Sequence, residues 1–390
     1  MVNLSRGESS SWSIFLVICL LSWLSSIRTE AGMWKWFSAL MVLLVPGLIG
    51  ARALTAQAPR PAQPYKLGMF QSDGGKPFVG MVVNDAFVVD LSRTYLGLPA
   101  TLQELIAVWD NQLATKLGTL AASSAVQAPR YAFKVGQAKT LPPIANPGVL
   151  LNVAVNYQEH AIEMRSQTTI AADTEPLDPK VAAGLPGLWE RKPGDRRQNP
   201  YFFIKAKRSL IGHGDTILLP PGRPQIDWEC ELNVVIGKAA RRVKAAQAAD
   251  HIFGYTLDND VSDRGGRADG RHGTDWIIGK SHDTFFPTGP WIVPRQFVPD
   301  PQHLPIVFSL SGKIMQDSNT DRMTHTVYEL VEFASHIMTL HPGDMISTGS
   351  PAGVGTARGT PIYFKDGDTS TCTIQGIGTL ENPVKADRSK

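Results

Sequence analysis

The sequence predicts an α+β protein dominated by short strands, with a small N-terminal α+β unit over 65–143 and a larger strand-rich domain over 148–385. Three observations carry this reading. Apolar runs of strand length recur, separated by turns drawn from 35 Gly and 28 Pro spread along 390 residues. Helical patterns are few and do not alternate with the strands as a doubly wound sheet requires. The chain contains no internal repeat, heptad or block of like charge.

Two apolar runs, 14–24 and 36–49, open the chain, and each is shorter than the ~20 residues that cross a bilayer. The second follows Met33 and Lys35 and leads to the small-residue sites Ala51-Arg52-Ala53 and Ala56-Gln57-Ala58, the order expected of a secretion signal. We therefore expect Met33 to be the start, cleavage near Ala58 and an exported protein, periplasmic or secreted, with a buried N-terminal helix and a retained membrane anchor as the alternatives. Residues 1–32 are assigned no function.

From Tyr65 the text reads as a meander: KLGMF, a Gly-Gly turn, PFVGMVV, an Asn84-Asp85 turn and AFVVDLS. A helix over 101–109 is announced by Thr101 with Glu104 three residues on, the spacing of a capping box. A strand over 148–155 opens the larger domain, whose helical patterns lie at 158–164, 245–251 and 327–339. The polar stretch 165–199, with four prolines and several arginines, is expected to be a lid-like insertion or a solvated surface insertion, which polarity alone does not separate.

Composition narrows the function. With 38 basic against 35 acidic side chains the formal charge is +3, too balanced for an electrostatic nucleic-acid binder. Three cysteines, Cys19, Cys230 and Cys372, make neither a disulfide framework nor a Cys-rich zinc module. Any metal must then use oxygen or imidazole ligands. Cys230 is expected to face the core, and no disulfide is expected between it and Cys372.

The sharpest local signal is the strand from Asp227 to Gly237. Alternation puts Glu229, Glu231 and Asn233 on one face, and Cys230, Leu232, Val234 and Ile236 on the other, which is apolar. Two adjacent carboxylates in an apolar strand repel unless a cation or proton lies between them. A third acid is available from the Asp258-Asn259-Asp260-Val261-Ser262-Asp263-Arg264 segment, and an all-carboxylate set favours Mg²⁺, Mn²⁺ or Ca²⁺ over zinc. On a helix, His160 and Glu163 share a face, so the carboxylate can orient the imidazole.

The phrases Asn156-Tyr157-x-x-His160-x-x-Glu163, Glu229-x-Glu231-Leu232, Gly254-Tyr255-x-x-x-x-Asp260-Val261-Ser262-x-Arg264, Gly279-Lys280-Ser281-x-Asp283 and Pro342-Gly343-Asp344-x-Ile346-x-Thr348-Gly349-Ser350-Pro351 occur in this order. Together they closely resemble the fumarylacetoacetate hydrolase superfamily over about 65–385, with Thr373 to Val384 resembling its last strand. The resemblance implies a mixed β-sandwich roll, commonly homodimeric. It assigns Glu229, Glu231 and Asp260 to a divalent cation, normally Mg²⁺, and His160 with Glu163 to a dyad that activates water. It places Lys280 near the substrate oxygens and Arg264 beside the acids, where both could equally serve as buried ion-pair partners. Thr348, Gly349 and Ser350 match a loop that meets a substrate carboxylate. Arg267 stands where relatives often have glutamine, and is assigned to substrate binding.

The expected function is metal-dependent hydrolysis of a C–C bond in an acylpyruvate or related β-diketo acid. Within that scheme His160 takes the proton from water, Lys280 stabilises developing negative charge, and Arg191, Arg196 or Arg197 selects the distal group. A decarboxylase, hydratase or isomerase of a 2-oxo acid is the enzymatic alternative, and a secreted oxo-acid-binding protein the non-enzymatic one.

Overall fold

A computed structural model of the chain describes residues 63–164, 185–190, 192–266 and 275–389. The start at Met33, the cleavage site near Ala58, Arg191 and Arg267 lie outside the described residues.

The meander forms as the sequence implies. Strands Tyr65–Gln71, Pro77–Val83 and Phe87–Asp90 pair antiparallel in sequence order. Asn84 and Asp85 both take φ of 54° in the three-residue turn 84–86 that joins the paired Val83 and Phe87. The helix Leu102–Ala107 carries the full capping box, Thr101 and Glu104 bonding reciprocally. A second helix, Asn111–Val126, was not expected: only Leu117, Ala121 and Ser124 are buried along it, so no apolar stripe marks it in the sequence.

These N-terminal strands continue directly into the larger domain. Tyr65–Gln71 pairs with Phe286–Pro294, which pairs with Ile252–Asn259, and that with Cys230–Ile236. Met345–Ser347, Leu150–Ala154 and the edge strand Tyr201–Ile204 complete a mixed twelve-stranded sheet. Residues 62–390 therefore form one compact unit spanning the expected domain boundary.

A five-stranded sheet of Lys313–Asn319, Pro305–Leu310, Thr369–Ile374, Gly378–Ala386 and Ile217–Leu219 faces the first. The expected final strand is in fact a hairpin, Thr369–Ile374 turning through Gly376 at φ 80° into Gly378–Ala386. The main core fills the space between the sheets, and Cys230, Leu232, Val234 and Ile236 all point into it, as alternation requires.

That same core corrects the expectation for the cysteines. Cys230 and Cys372 form a disulfide with a Cα–Cα distance of 5.6 Å. Facing the core does not isolate Cys230, because the strand Thr369–Ile374 alternates too and turns Ser370, Cys372 and Ile374 inward from the opposing sheet. The two sulfurs meet in the middle.

The described part of the 165–199 insertion lies against the body of the protein. Trp189 meets His325 edge-on at 5.0 Å and sits 5.8 Å from Phe333. Arg197 bonds Asp195, Glu329 and the Thr324 carbonyl, so it anchors its own segment to the helix Val327–Ile337 instead of standing free to select a substrate.

Candidate active site and cation-binding cluster

The antiparallel pairing of Cys230–Ile236 with Ile252–Asn259 sets Glu231 directly opposite Asp258. One step beyond, the Asp260 amide donates to the Glu229 carbonyl at 2.8 Å, continuing the same register. Four carboxylates thus stand as two facing pairs on one side of a two-strand ladder, all of them buried. Oxygens of Glu229, Glu231 and Asp260 converge within 4.8 Å of one another.

Such a cluster is tolerable only with positive charge among it. Lys280 Nζ bridges Glu229 Oε2 at 2.6 Å and Asp260 Oδ2 at 2.5 Å. It arrives on the short helix Trp276–Lys280, whose start is capped by Asp275 and whose Trp276 stacks on Phe203 at 4.5 Å. Arg264 reaches Glu229 Oε1 at 2.6 Å and Asp227 Oδ2 at 3.0 Å. Burial alone would push Glu229 up, but Lys280, Arg264 and His160 together hold it well below the usual carboxylate range.

Glu231 has the opposite environment. Burial, then the charges of Asp258, Asp260 and Glu229, push it well above that range. Ser347 Oγ lies 2.6 Å from Glu231 Oε2 and 2.8 Å from Asp258 Oδ2. The hydroxyl has one proton, so it donates to one of the two carboxylates at a time, while the Gly349 amide donates to Glu231 and Asn233 to Asp258. Burial raises Asp258 to about 8 even against its hydrogen bonds from Asn233 and Ser347.

His160 sits on the helix Gln158–Met164 with Nδ1 2.7 Å from Glu163 Oε1 and Nε2 3.6 Å from Glu229 Oε1. Burial pulls its basicity down, but Glu163 and Glu229 more than restore it. Glu163 is held in turn by the Gly353 amide, at 3.1 and 2.9 Å from its two oxygens. At Gly353 φ is +106°, and a Cβ there would collide with the Met315 carbonyl, so glycine alone fits this amide under the dyad.

The 348–350 loop is engaged internally. Thr348 Oγ1 donates to the Leu232 carbonyl at 2.8 Å, and the Gly349 amide donates to Glu231 Oε2 at 2.6 Å. Ser350 Oγ accepts from Gln316 at 2.8 Å and borders the site. Asn156 ties the loop to the dyad helix, donating to the Thr348 and His325 carbonyls and accepting from the His325 amide.

The sequence-expected residues His160, Glu229, Glu231, Asp260, Arg264, Lys280 and Ser350 all line one small cavity of about 40 Å³. Three functional neighbours had not been expected. Asp258 could have been found from the register that places it opposite Glu231. Lys205 ends the apolar run Tyr201–Ile204, and its fully buried ammonium bonds Asp260 and the Val261 carbonyl. Asp227 holds Arg264 while accepting from the Gly355 and Thr356 amides.

Val153, Ala154 and Val155 also border a much larger cavity of about 760 Å³. Val155, between the two, has a φ of 58°, a strained value for a β-branched residue.

Three buried carboxylates with no nitrogen or sulfur donor among them could hold a hard divalent cation, and the His160–Glu163 pair a few ångströms away could move a proton beside it. The comparisons with known proteins agree. The family described as fumarylacetoacetate (FAA) hydrolase C-terminal matches residues 150–385, and the chain belongs to that family of enzymes.

The chain is 32% identical over 326 residues to a mitochondrial oxaloacetate tautomerase of Xenopus laevis, covering 83% of this chain and 91% of that protein. It is 35% identical to a 2,4-didehydro-3-deoxy-L-rhamnonate hydrolase of a Sphingomonas strain, over 68% of this chain and 83% of the relative. Among solved structures, maleylpyruvate hydrolase from Sphingobium matches with a TM-score of 0.60 and 27% identity, over 83% of this chain and all of that one. The strand-rich mixed architecture is that of the family.

Proposed function

We propose that the protein binds a 2-oxo acid carrying a second carbonyl, an acylpyruvate or a close relative, and hydrolyses its C–C bond. The observation that supports this best is the convergence of Glu229, Glu231 and Asp260 within reach of the His160–Glu163 pair. The residues fit a hard divalent cation, for which Mg²⁺ is the proposed occupant: every donor is a carboxylate oxygen, and Lys280 pairs with Glu229 and Asp260 but not with Glu231. Such a cation supplies charge to hold the carboxylate end and to polarise the 2-oxo group.

The chain's own residues supply the rest. Glu163, fixed by the Gly353 amide, sets the ring of His160 so that Nε2 faces the cavity. His160 Nε2 then takes a proton from water or from the substrate carbon next to the oxo group. Lys280 and Arg264 stabilise negative charge that develops on the substrate.

Tautomerisation of an oxo-diacid is a second reading, favoured by the oxaloacetate tautomerase that aligns with most of the chain. It needs the same proton transfer without attack by water. The purified protein, supplied with Mg²⁺ or Mn²⁺, should be incubated with acylpyruvates and with enol-oxaloacetate. Pyruvate release from the acylpyruvates that stops with EDTA and with His160→Ala supports hydrolysis. Faster loss of the enol without pyruvate release supports the tautomerase, and indifference to EDTA in both assays sinks both readings.

A further inference from the structure

We infer that the large cavity beside the metal cluster accepts an uncharged, hydroxylated carbon chain as the distal part of the substrate and disfavours a second carboxylate. This rests on the 2-oxo-acid reading above and adds the class of the distal group. The cavity and the cluster share Val153, Ala154 and Val155 as lining, so the two lie back to back across this one stretch of chain, and the distal part of a substrate held at the cluster has this cavity as its neighbouring space. Arginines lie along its wall, which at first suggests an anion site, but their bonding says otherwise.

Arg197 has all five N–H donors engaged: Nε and one Nη2 hydrogen with Asp195, the other Nη2 hydrogen and one from Nη1 with Glu329, and the last with the Thr324 carbonyl. Arg322 is paired with Glu159, and Arg196 is itself engaged. Asp321, on the same wall, adds negative charge. His325 completes it: burial and the Arg197 charge lower its pKa to about 4, so the ring is neutral at ordinary pH. Among the described residues, a carboxylate entering here must break the Arg197 clamp or compete for Arg196 or Arg322 with the groups that already hold them, and at the exposed Arg322 water leaves little to gain.

The wall does offer groups to a neutral polar chain. The side-chain amides of Gln158 and Gln198 make no hydrogen bond among the described residues and can each donate to or accept from a hydroxyl. Val153, Ala161 and Met323 supply apolar surface for the carbons between.

The test is calorimetric titration of the full chain, loaded with Mn²⁺, with three ligands: pyruvate, 2-oxoadipate and 6-hydroxy-2-oxohexanoate. The last two differ only in a terminal carboxylate against a terminal hydroxymethyl group. The hydroxylated acid is expected to bind at least about tenfold more tightly than the diacid, the consequence of one unmatched charge. Equal binding, tighter binding of the diacid, or binding of pyruvate with neither tailed acid overturns the inference and leaves the oxo-acid reading standing. Failure of pyruvate itself to bind removes that reading and the inference with it. Asp195→Asn, which releases part of the Arg197 fork, is expected to narrow the preference, and an unchanged ratio contradicts the role given to the clamp.

Discussion

At the scale of single residues, the site is a problem in placing charge. Glu229 and Glu231 are two positions apart on one face, yet one is held ionised by Lys280 and Arg264 and the other is driven toward its protonated form by neighbouring acids. Ser347 decides how Glu231 points, since its hydroxyl is the bridge between Glu231 and Asp258. Ser347→Ala leaves that carboxylate without its hydroxyl partner and is expected to weaken Mn²⁺ binding about 10- to 100-fold by calorimetry, with little change in melting temperature. The dyad carries a separate expectation. His160→Ala should lower kcat by about 100- to 10,000-fold while Mn²⁺ affinity stays near that of the parent. A comparable loss of metal affinity would mean that His160 supports the cluster and not the chemistry.

At the scale of elements, the helix Val327–Ile337 and the strap 192–199 are locked together around His325. Burial and Arg197 lower its pKa from 6.5 to about 4, so the folded state favours the neutral ring. As pH falls, the unfolded chain takes up the proton first. The stability conferred by the neutral ring is therefore complete above pH 6.5 and is lost as pH falls toward about 4. Over that window the loss approaches ~1.4 kcal/mol per pH unit. Denaturation midpoints measured at about pH 7 and about pH 5 should show it, and His325→Gln should flatten the difference. Elements of this kind were unevenly legible in the sequence. The helix Leu102–Ala107 was readable because its capping box is local, and Cys230–Ile236 because its faces alternate. The helix Asn111–Val126 was not, since its small buried stripe is interrupted by polar residues. Glu229, Glu231 and Asp260 were found through pattern and resemblance together, whereas Asp258 needed the cross-strand register, which no single segment carries. Lys205 and the Arg197 clamp depend on contacts between residues 55 and 132 positions apart.

At the scale of the whole molecule, the two larger sheets enclose the main core, and the cluster stands on the first sheet while the second supports it from behind. The Cys230–Cys372 bridge joins them at the closest possible point to the site, because Cys230 lies between Glu229 and Glu231 in the chain. Its cysteines are 142 residues apart, so closing it removes a large loop from the freedom of the unfolded chain. The expected contribution is about 5 kcal/mol on the chain-entropy account, at the upper end of the roughly 2–5 kcal/mol that losing a native disulfide costs. Reduced protein should therefore unfold at lower denaturant than oxidised protein, and Cys230→Ala with Cys372→Ala should abolish the difference. Thiol titration of the unreduced, denatured full chain checks the bridge independently: only Cys19 should react. Reaction at Cys230 and Cys372 as well would show two thiols packed side by side in the core, and the sheets would then be held by apolar burial alone. Because the bridge backs directly onto the carboxylate strand, reduction should also weaken Mn²⁺ binding measured below the unfolding transition. Unchanged affinity after reduction would show that the packing of Leu232, Val234 and Ile236 against the second sheet is enough to hold the cluster in place.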